Sequence, residues 1–207
     1  MRRRQMLKLL GGGAAGLWLP GAAARACGLH PAQAAWRFDV LRHGDVIGDH
    51  VFTFRQGGGD FVVEVAIDIA VGLLGVTLFR FTHQAEEVWR DGRLQALASD
   101  TDDDGTPWRV RYARDGGRLR GAVNGTPAEA PGDILPASLW HRDTVAARRL
   151  LDTVDGAVKP VTPEVLGPDH FRLAGGMQRE VWTGGDCSLT KVVFPARDGS
   201  LIALERR

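Results

Sequence analysis

Hydrophobic and polar residues alternate with period two along most of the chain beyond residue 35. The clearest run is 61–71, where Phe61, Val63, Val65, Ile67, Ile69 and Val71 fall on one face and Glu64, Ala66, Asp68 and Ala70 on the other. This is the pattern of a half-buried β-strand, not of a helix. Alternating runs also occupy residues 36–43, 46–54, 76–89, 93–99 and 106–114, and they return at 156–165, 170–173, 178–182, 188–194 and 201–205. Turn pairs separate them, among them Asp91-Gly92, Asp104-Gly105, Asn124-Gly125 and Asp198-Gly199. Such pairs between alternating segments mark hairpins of an up-and-down antiparallel sheet.

A sheet of this length must curl or close to cover its apolar face. The predicted fold class is therefore mainly β: a single antiparallel up-and-down sheet curled into an open or closed β-barrel. One short mid-chain helix is expected over 144–151, with Asp143 as its N-cap. Residues 134–140 read as a loop or a single helical turn.

The run 79–89 carries the candidate site. Period two puts Phe79, Phe81, His83, Ala85, Glu87 and Trp89 on one face. That face takes a histidine and a carboxylate into apolar surroundings, where an unpaired charge is costly. His83 and Glu87 lie four residues apart, about 13 Å along a strand, so each needs a partner from a neighbouring strand. Polar handles in an apolar cavity are how ligand pockets orient a head group; a buried polar pair is the structural alternative. Trp140-His141, after Leu135-Pro136-Ala137-Ser138, is expected to line the cavity mouth, or Trp140 to plug one barrel end.

Other motifs add little chemistry. Asp100, Asp102, Asp104 and Gly105 match the first half of a calcium loop, but the position of the bidentate glutamate is Arg111. Hairpin turns favour Asp and Gly for conformational reasons alone. Ser138 lacks the G-x-S-x-G context of a hydrolase, and Asn124-Gly125-Thr126 reads as a turn. No cofactor motif is present, and no cofactor is expected.

The N-terminus changes the picture. Arg2, Arg3, Arg4 and Lys8 precede a short apolar stretch, and Arg3-Arg4-Gln5-Met6-Leu7-Lys8 resembles a twin-arginine export motif. The apolar stretch is far shorter than the ~20 residues of a membrane span. Residues 1–34 are expected to be a cleaved signal peptide, with 35–207 as one β-barrel-like domain. Cleavage after Ala26 is the alternative. The choice matters because the chain's only cysteines are Cys27 and Cys187, and the cut after Ala34 leaves Cys187 alone. The full chain carries a formal charge of +1; residues 1–34 hold five basic residues and no acidic one, which leaves 21 against 25, or about −4. No basic run or aromatic–basic interleaving suggests nucleic acid. The expected location is the periplasm or the exterior, and the expected partners are the twin-arginine export machinery and an apolar small molecule or lipid.

Four segments together resemble an uncharacterised family of exported bacterial β-rich proteins, catalogued as a domain of unknown function. They are FDVLRHGDVIGDHVFTF, VGLLGVTLFRFTHQAEEVWRDGRL, SDTDDDGTPWRV and LPASLWH. Related families often show Trp-Tyr-Asp followed by Gly near the C-terminus, where this chain has Trp182-Thr183-Gly184-Gly185-Asp186. The resemblance implies a β fold and an envelope location. In overall pattern the chain is also similar to half-barrel carriers of lipoproteins and lipids. The expected function is a non-catalytic binding module for an apolar or amphipathic ligand, held by Phe79, Phe81, His83, Glu87, Trp89 and Trp140. The alternative is an envelope enzyme, or an accessory subunit of an exported complex, using His83 and Glu87.

Overall fold

The computed structural model describes residue 31 and residues 33–73 and 76–207, with the side chain of residue 73 excepted. Of the expected signal peptide 1–34, residues 1–30 and 32 lie outside them. The alternating runs become β1 (Ala35–Arg42), β2 (Asp45–Gly57), β3 (Asp60–Leu73), β4 (Val76–Arg90), β5 (Arg93–Asp103), β6 (Thr106–Asp115), β7 (Arg118–Val123) and β8 (Thr126–Pro131). Each pairs antiparallel with the one before it. Five turns between them have positive φ at both central residues: His43-Gly44, Gly58-Gly59, Asp91-Gly92, Asp104-Gly105 and Asn124-Gly125. This is the conformation whose twist matches a right-handed hairpin, and Asn, Asp and Gly adopt it at least cost.

The second half contains β9 (Leu135–Pro136), β10 (Arg149–Leu151), β11 (Val158–Gly167), β12 (His170–Gly175), β13 (Arg179–Thr183), β14 (Leu189–Pro195) and β15 (Leu201–Arg206). These return so that β15 lies beside β1, giving the order β8-β7-β6-β5-β4-β3-β2-β1-β15-β14-β13-β12-β11-β10-β9. Only the β9–β10 pair is parallel among the described strands. The sheet is open rather than closed: β8 and β9 are its edges, joined in sequence by residues 132–134.

The expected helix over 144–151 does not form. A short 3-10 turn spans Arg142–Ala146, and its N-cap is His141, not Asp143. Ala147 is already extended, and Arg149–Leu151 joins the sheet against β11. Burial explains this outcome. Leu150 and Leu151 are consecutive and both fully buried, with β10 paired to β9 on one side and β11 on the other.

The inward face of the sheet wraps around the mid-chain crossing. Ile134, Leu139, Trp140, Leu150 and Leu151 from the crossing join Phe38, Phe52, Val63, Trp89, Leu94 and Leu97 from the meander in one buried cluster. Three bonds fix the crossing in place. Ser99 Oγ donates to the Thr153 carbonyl, Tyr112 Oη donates to the Gly156 carbonyl at 3.0 Å, and an Arg114 Nη donates to the Gly132 carbonyl at 2.5 Å. Gly156 has φ +70, and a Cβ there would sit 2.4 Å from Val123 Cγ2, so the crossing needs glycine at this contact.

Candidate functional site

β4 displays the predicted face. His83, Ala85, Glu87 and Trp89 are buried, while Arg80, Gln84, Glu86 and Arg90 point outward and are exposed. Cross-strand register brings Val63 and Leu97 beside Glu87, and Ile67 and Thr101 beside His83. Two polar centres result, separated along the face by Ala85.

The first centre is Glu87. Its side chain is fully buried, and both Trp89 Nε1 (3.0 Å) and Trp140 Nε1 (2.7 Å) donate to Oε2. Oε1 has no well-formed hydrogen bond, and neither does Ser138 Oγ. Ser138 nevertheless lies close enough to favour the carboxylate form, as the two indoles do. Burial outweighs all three and pushes the carboxyl pKa up. No arginine or lysine contacts this carboxyl in an ion pair among the described residues, so the protonated form is the one this pocket favours. His141 stacks on Trp89 with ring centroids 5.2 Å apart and planes 11° from parallel.

The second centre is His83. Its Nδ1 lies 2.7 Å from Thr101 Oγ1, and its Nε2 lies 3.4 Å from Thr153 Oγ1 in the crossing. His50 is nearby on β2, stacked on Phe52 at 4.4 Å, with Nε2 unpartnered. Burial pulls the His50 pKa down to about 3, with repulsion from His83 adding to it, and pulls His83 down to about 4. Both rings are therefore neutral at pH 7.

The sequence-predicted residues thus separate into two groups. Glu87, Trp89 and Trp140 come together, and Trp140 plugs the interior rather than lining a mouth. His83 is buried one step along. Phe79 and Phe81 share the face but lie only half-buried toward the β3–β4 turn, with Phe81 stacked on His83 at 6.3 Å. The sequence reading missed His50, Ser99, Thr101 and Thr153. The signal for three of them was present. Continuing the β5 alternation past Leu97 places Ser99 and Thr101 inward, and the Phe52–Phe54 parity on β2 places His50 inward.

The acidic calcium-loop candidates do not converge. Asp100 and Asp102 lie on the outward face of β5, and Asp104 lies in the turn. Asp100 pairs with Arg109 and Arg111, Asp102 accepts from the Gly105 amide, and Asp104 accepts from the Arg80 amide. No group of three metal-ligating side chains occurs among the described residues. An open depression of about 940 Å³ is lined in part by Asp49, Asp68, Gln84, Asp102 and Arg109. Asp49 and Asp68 there are already paired with Arg207 and Arg80.

This architecture, an open sheet curled around its own crossing segment, defines a β-barrel-like domain. Residues 38–207 match the family described as "Domain of unknown function (DUF6134)", and the chain belongs to that family. Its fold is similar to that of a solved β-barrel-like protein of domain of unknown function DUF1849 from Brucella abortus. That structure aligns with a TM-score of 0.53 over 84% of this chain and 97% of that one, at 9% identity. No curated protein matches the chain.

Proposed function

We propose that this protein is an exported, non-catalytic binding module of the bacterial envelope that takes an apolar or amphipathic ligand at the uncovered end of its aromatic face. One observation carries this reading. The inward face of β4 grades from fully buried Glu87 and Trp89 to half-buried Phe81 and Phe79, which pair across the ladder with half-buried Ile69 and Val71. The crossing segment packs against the Glu87 and Trp89 part of this face, so among the described residues of β4 the half-buried aromatic surface lies at the other end. The polar groups that would serve an enzyme are enclosed instead: His83 is 2% exposed and Glu87 0%. Displacement of a hydrophobic fluorescent dye tests the reading. Phe79→Ser with Phe81→Ser is expected to weaken dye binding at least tenfold, since burying one aromatic side chain contributes roughly 1.5–3 kcal/mol. Wild-type protein that binds no dye, and carries no lipid by native mass spectrometry, would sink the proposal.

Export accords with the cysteine chemistry. Cys187 is disulfide-bonded, as expected of an oxidising compartment. It lies in the turn between β13 and β14, outside the buried cluster, so the sheet can fold before that bond forms. Residues just ahead of β1 also engage the sheet: the Phe54 amide donates to the Ala34 carbonyl at 2.8 Å, and Arg206 donates to Gln33 Oε1 at 2.5 Å. The chain's other cysteine is Cys27, kept by cleavage after Ala26 and lost by cleavage after Ala34. These contacts favour the cut after Ala26. The intact mass of protein recovered from the periplasm is expected to fit a chain starting at Cys27, with no alkylatable thiol before reduction. A mass fitting an Ala35 start would overturn the assignment.

A further inference from the structure

The end of the sheet that holds Phe81 is bridged by charge. Asp103, at the end of β5, is the register partner of Phe81 and shares its inward face. It forms an ion pair with Arg197, in the turn between β14 and β15. From β15 to β5 the sheet order counts five steps, about 24 Å if the sheet were flat. Contact between these two side chains therefore means that the sheet curls until the β14–β15 turn reaches the opposite wall. The next residue of that turn, Asp198, pairs with Arg42 at the end of β1. The two pairs, Arg42 with Asp198 and Arg197 with Asp103, thus cross the opening.

One wall of this opening is cationic. Arg42 lies opposite buried Ile202, and Ile202 opposite Phe194, so Arg42 starts from the inward face. Arg179 completes the row on β13, with its Cζ 4.3 Å from the centre of the Phe194 ring. The unmet hydrogen-bonding capacity of this row belongs to donors. Arg42 Nε is buried and has no acceptor. Burial desolvates the Arg179 guanidinium, whose Nη1 donates to the Gln178 carbonyl at 2.7 Å, and Asp152 favours its charge only from beyond ion-pair range. The carboxylates, by contrast, are occupied. Asp198 Oδ1 accepts from the Ser200 amide at 3.1 Å and from its hydroxyl at 2.7 Å, while Oδ2 accepts from Arg42. Asp103 is 9% exposed and faces Arg197. A buried donor without an acceptor is costly, and the planar guanidinium fork is matched best by carboxylate or phosphate oxygens.

We infer that the ligand at this end is an amphiphile with an anionic head, a carboxylate or a phosphate, whose head accepts from Arg42 on the wall that Arg179 also makes cationic, and whose chain runs toward half-buried Ile69 and Phe81. The inference rests on the binding-module reading and names the head-group chemistry of that module's ligand. A cationic head would find both carboxylates of the opening already paired. A neutral head accepts from a guanidinium more weakly than an anion does.

Four amphiphiles that share a dodecyl chain separate head from tail in the dye-displacement assay: dodecanoate, dodecyl phosphate, dodecyl maltoside and dodecyltrimethylammonium, each below its micelle concentration. The two anions are expected to displace dye from the mature chain at concentrations at least tenfold lower than the other two, and the tighter of them names the head. Arg42→Gln is expected to remove most of that preference, and Arg42→Lys, which keeps the charge but not the fork, to retain only part of it. Arg179→Gln is expected to reduce it several-fold, and decides the matter if circular dichroism shows that the Arg42 variants do not fold. Equal displacement by all four heads, or a preference for the anions that survives substitution of both arginines, overturns the inference and leaves the binding module in place. If neither the dye nor any of the four binds, the binding reading falls and this inference falls with it.

Discussion

Trp140→Ala is expected to destabilise the domain by about 5 kcal/mol, read as a shift of the guanidinium midpoint. Deleting a buried aromatic side chain costs about 3–5 kcal/mol through lost burial and the cavity left behind. Trp140 packs edge-on against Trp89 at 5.2 Å and also meets Phe54 and Phe61, so the surroundings have little room to collapse. Its indole N–H is also one of the two donors to Glu87 Oε2, and orphaning a buried acceptor adds about 1–3 kcal/mol. The two costs overlap, so they do not simply sum. Set against a total of about 5–15 kcal/mol for a domain, the loss is severe. Trp140→Phe separates the contributions: it keeps most of the volume, loses the donor, and should cost about 1–3 kcal/mol. Glu87→Gln should behave in the opposite sense. Its amide oxygen can accept both indole N–H groups, and the amide has no charge to desolvate, so at pH 7 the variant should be neutral or more stable. A loss above about 2 kcal/mol for Glu87→Gln would mean that the native carboxylate is ionised and held as an ion.

This pair of expectations shows where the sequence stopped being readable. The face of β4 was legible because strand parity is local: Glu87 and Trp89 follow from residues two apart. What contacts that face was not, because Trp140 lies 53 residues further on and Thr153 lies 70 residues from His83. Neither distance leaves a periodic trace. The crossing was misread for a related reason. Thr144 to Leu151 is rich in alanine, arginine and leucine, which favour helix when nothing else decides. Here two adjacent leucines are both buried and the backbone at 149–151 is needed by β9 and β11, so tertiary pairing overrides propensity. The aspartate run misled the eye differently. In a strand, Asp100 and Asp102 share a face while Thr101 turns inward, so the spacing that would gather ligands in a loop spreads them along the sheet, Asp100 against Arg109 and Arg111 and Asp102 against the Gly105 amide. The hairpins with Asp-Gly or Asn-Gly turns were readable, since a two-residue turn with Gly second fixes its own geometry.

The same enclosed polar groups predict how the protein responds to acid. His50 and His83 have folded pKa values of about 3 and about 4, well below the 6.5 of an unfolded histidine. Below pH 6.5 the unfolded chain takes up protons that the folded core refuses, so stability falls as pH falls, and the fall ends near the folded values. Each pH unit in that window is equivalent to about 1.36 kcal/mol per group. Between pH 7 and pH 4.5 the two histidines together should remove about 4–5 kcal/mol. Glu87 works against them. Its raised pKa means that the folded state holds a proton more tightly than the unfolded one, so its contribution is present below its ordinary value and lost as pH rises. Acidification therefore restores part of what the histidines remove. Asp60, Asp100, Glu180, Asp186 and Asp198 are held below their ordinary values, mainly by arginine or turn hydrogen bonds, and lose their contribution only at lower pH than this window. Denaturation curves at half-unit steps from pH 7 to 4.5 should show a steep decline. His83→Gln, which can still hydrogen-bond Thr101, should remove about half of the slope, and Glu87→Gln should steepen it by removing the opposing group. A wild-type stability that stays flat across this range would mean that the core admits water to both imidazoles. The enclosure of His83 on which the proposed binding reading leans would then be lost with it.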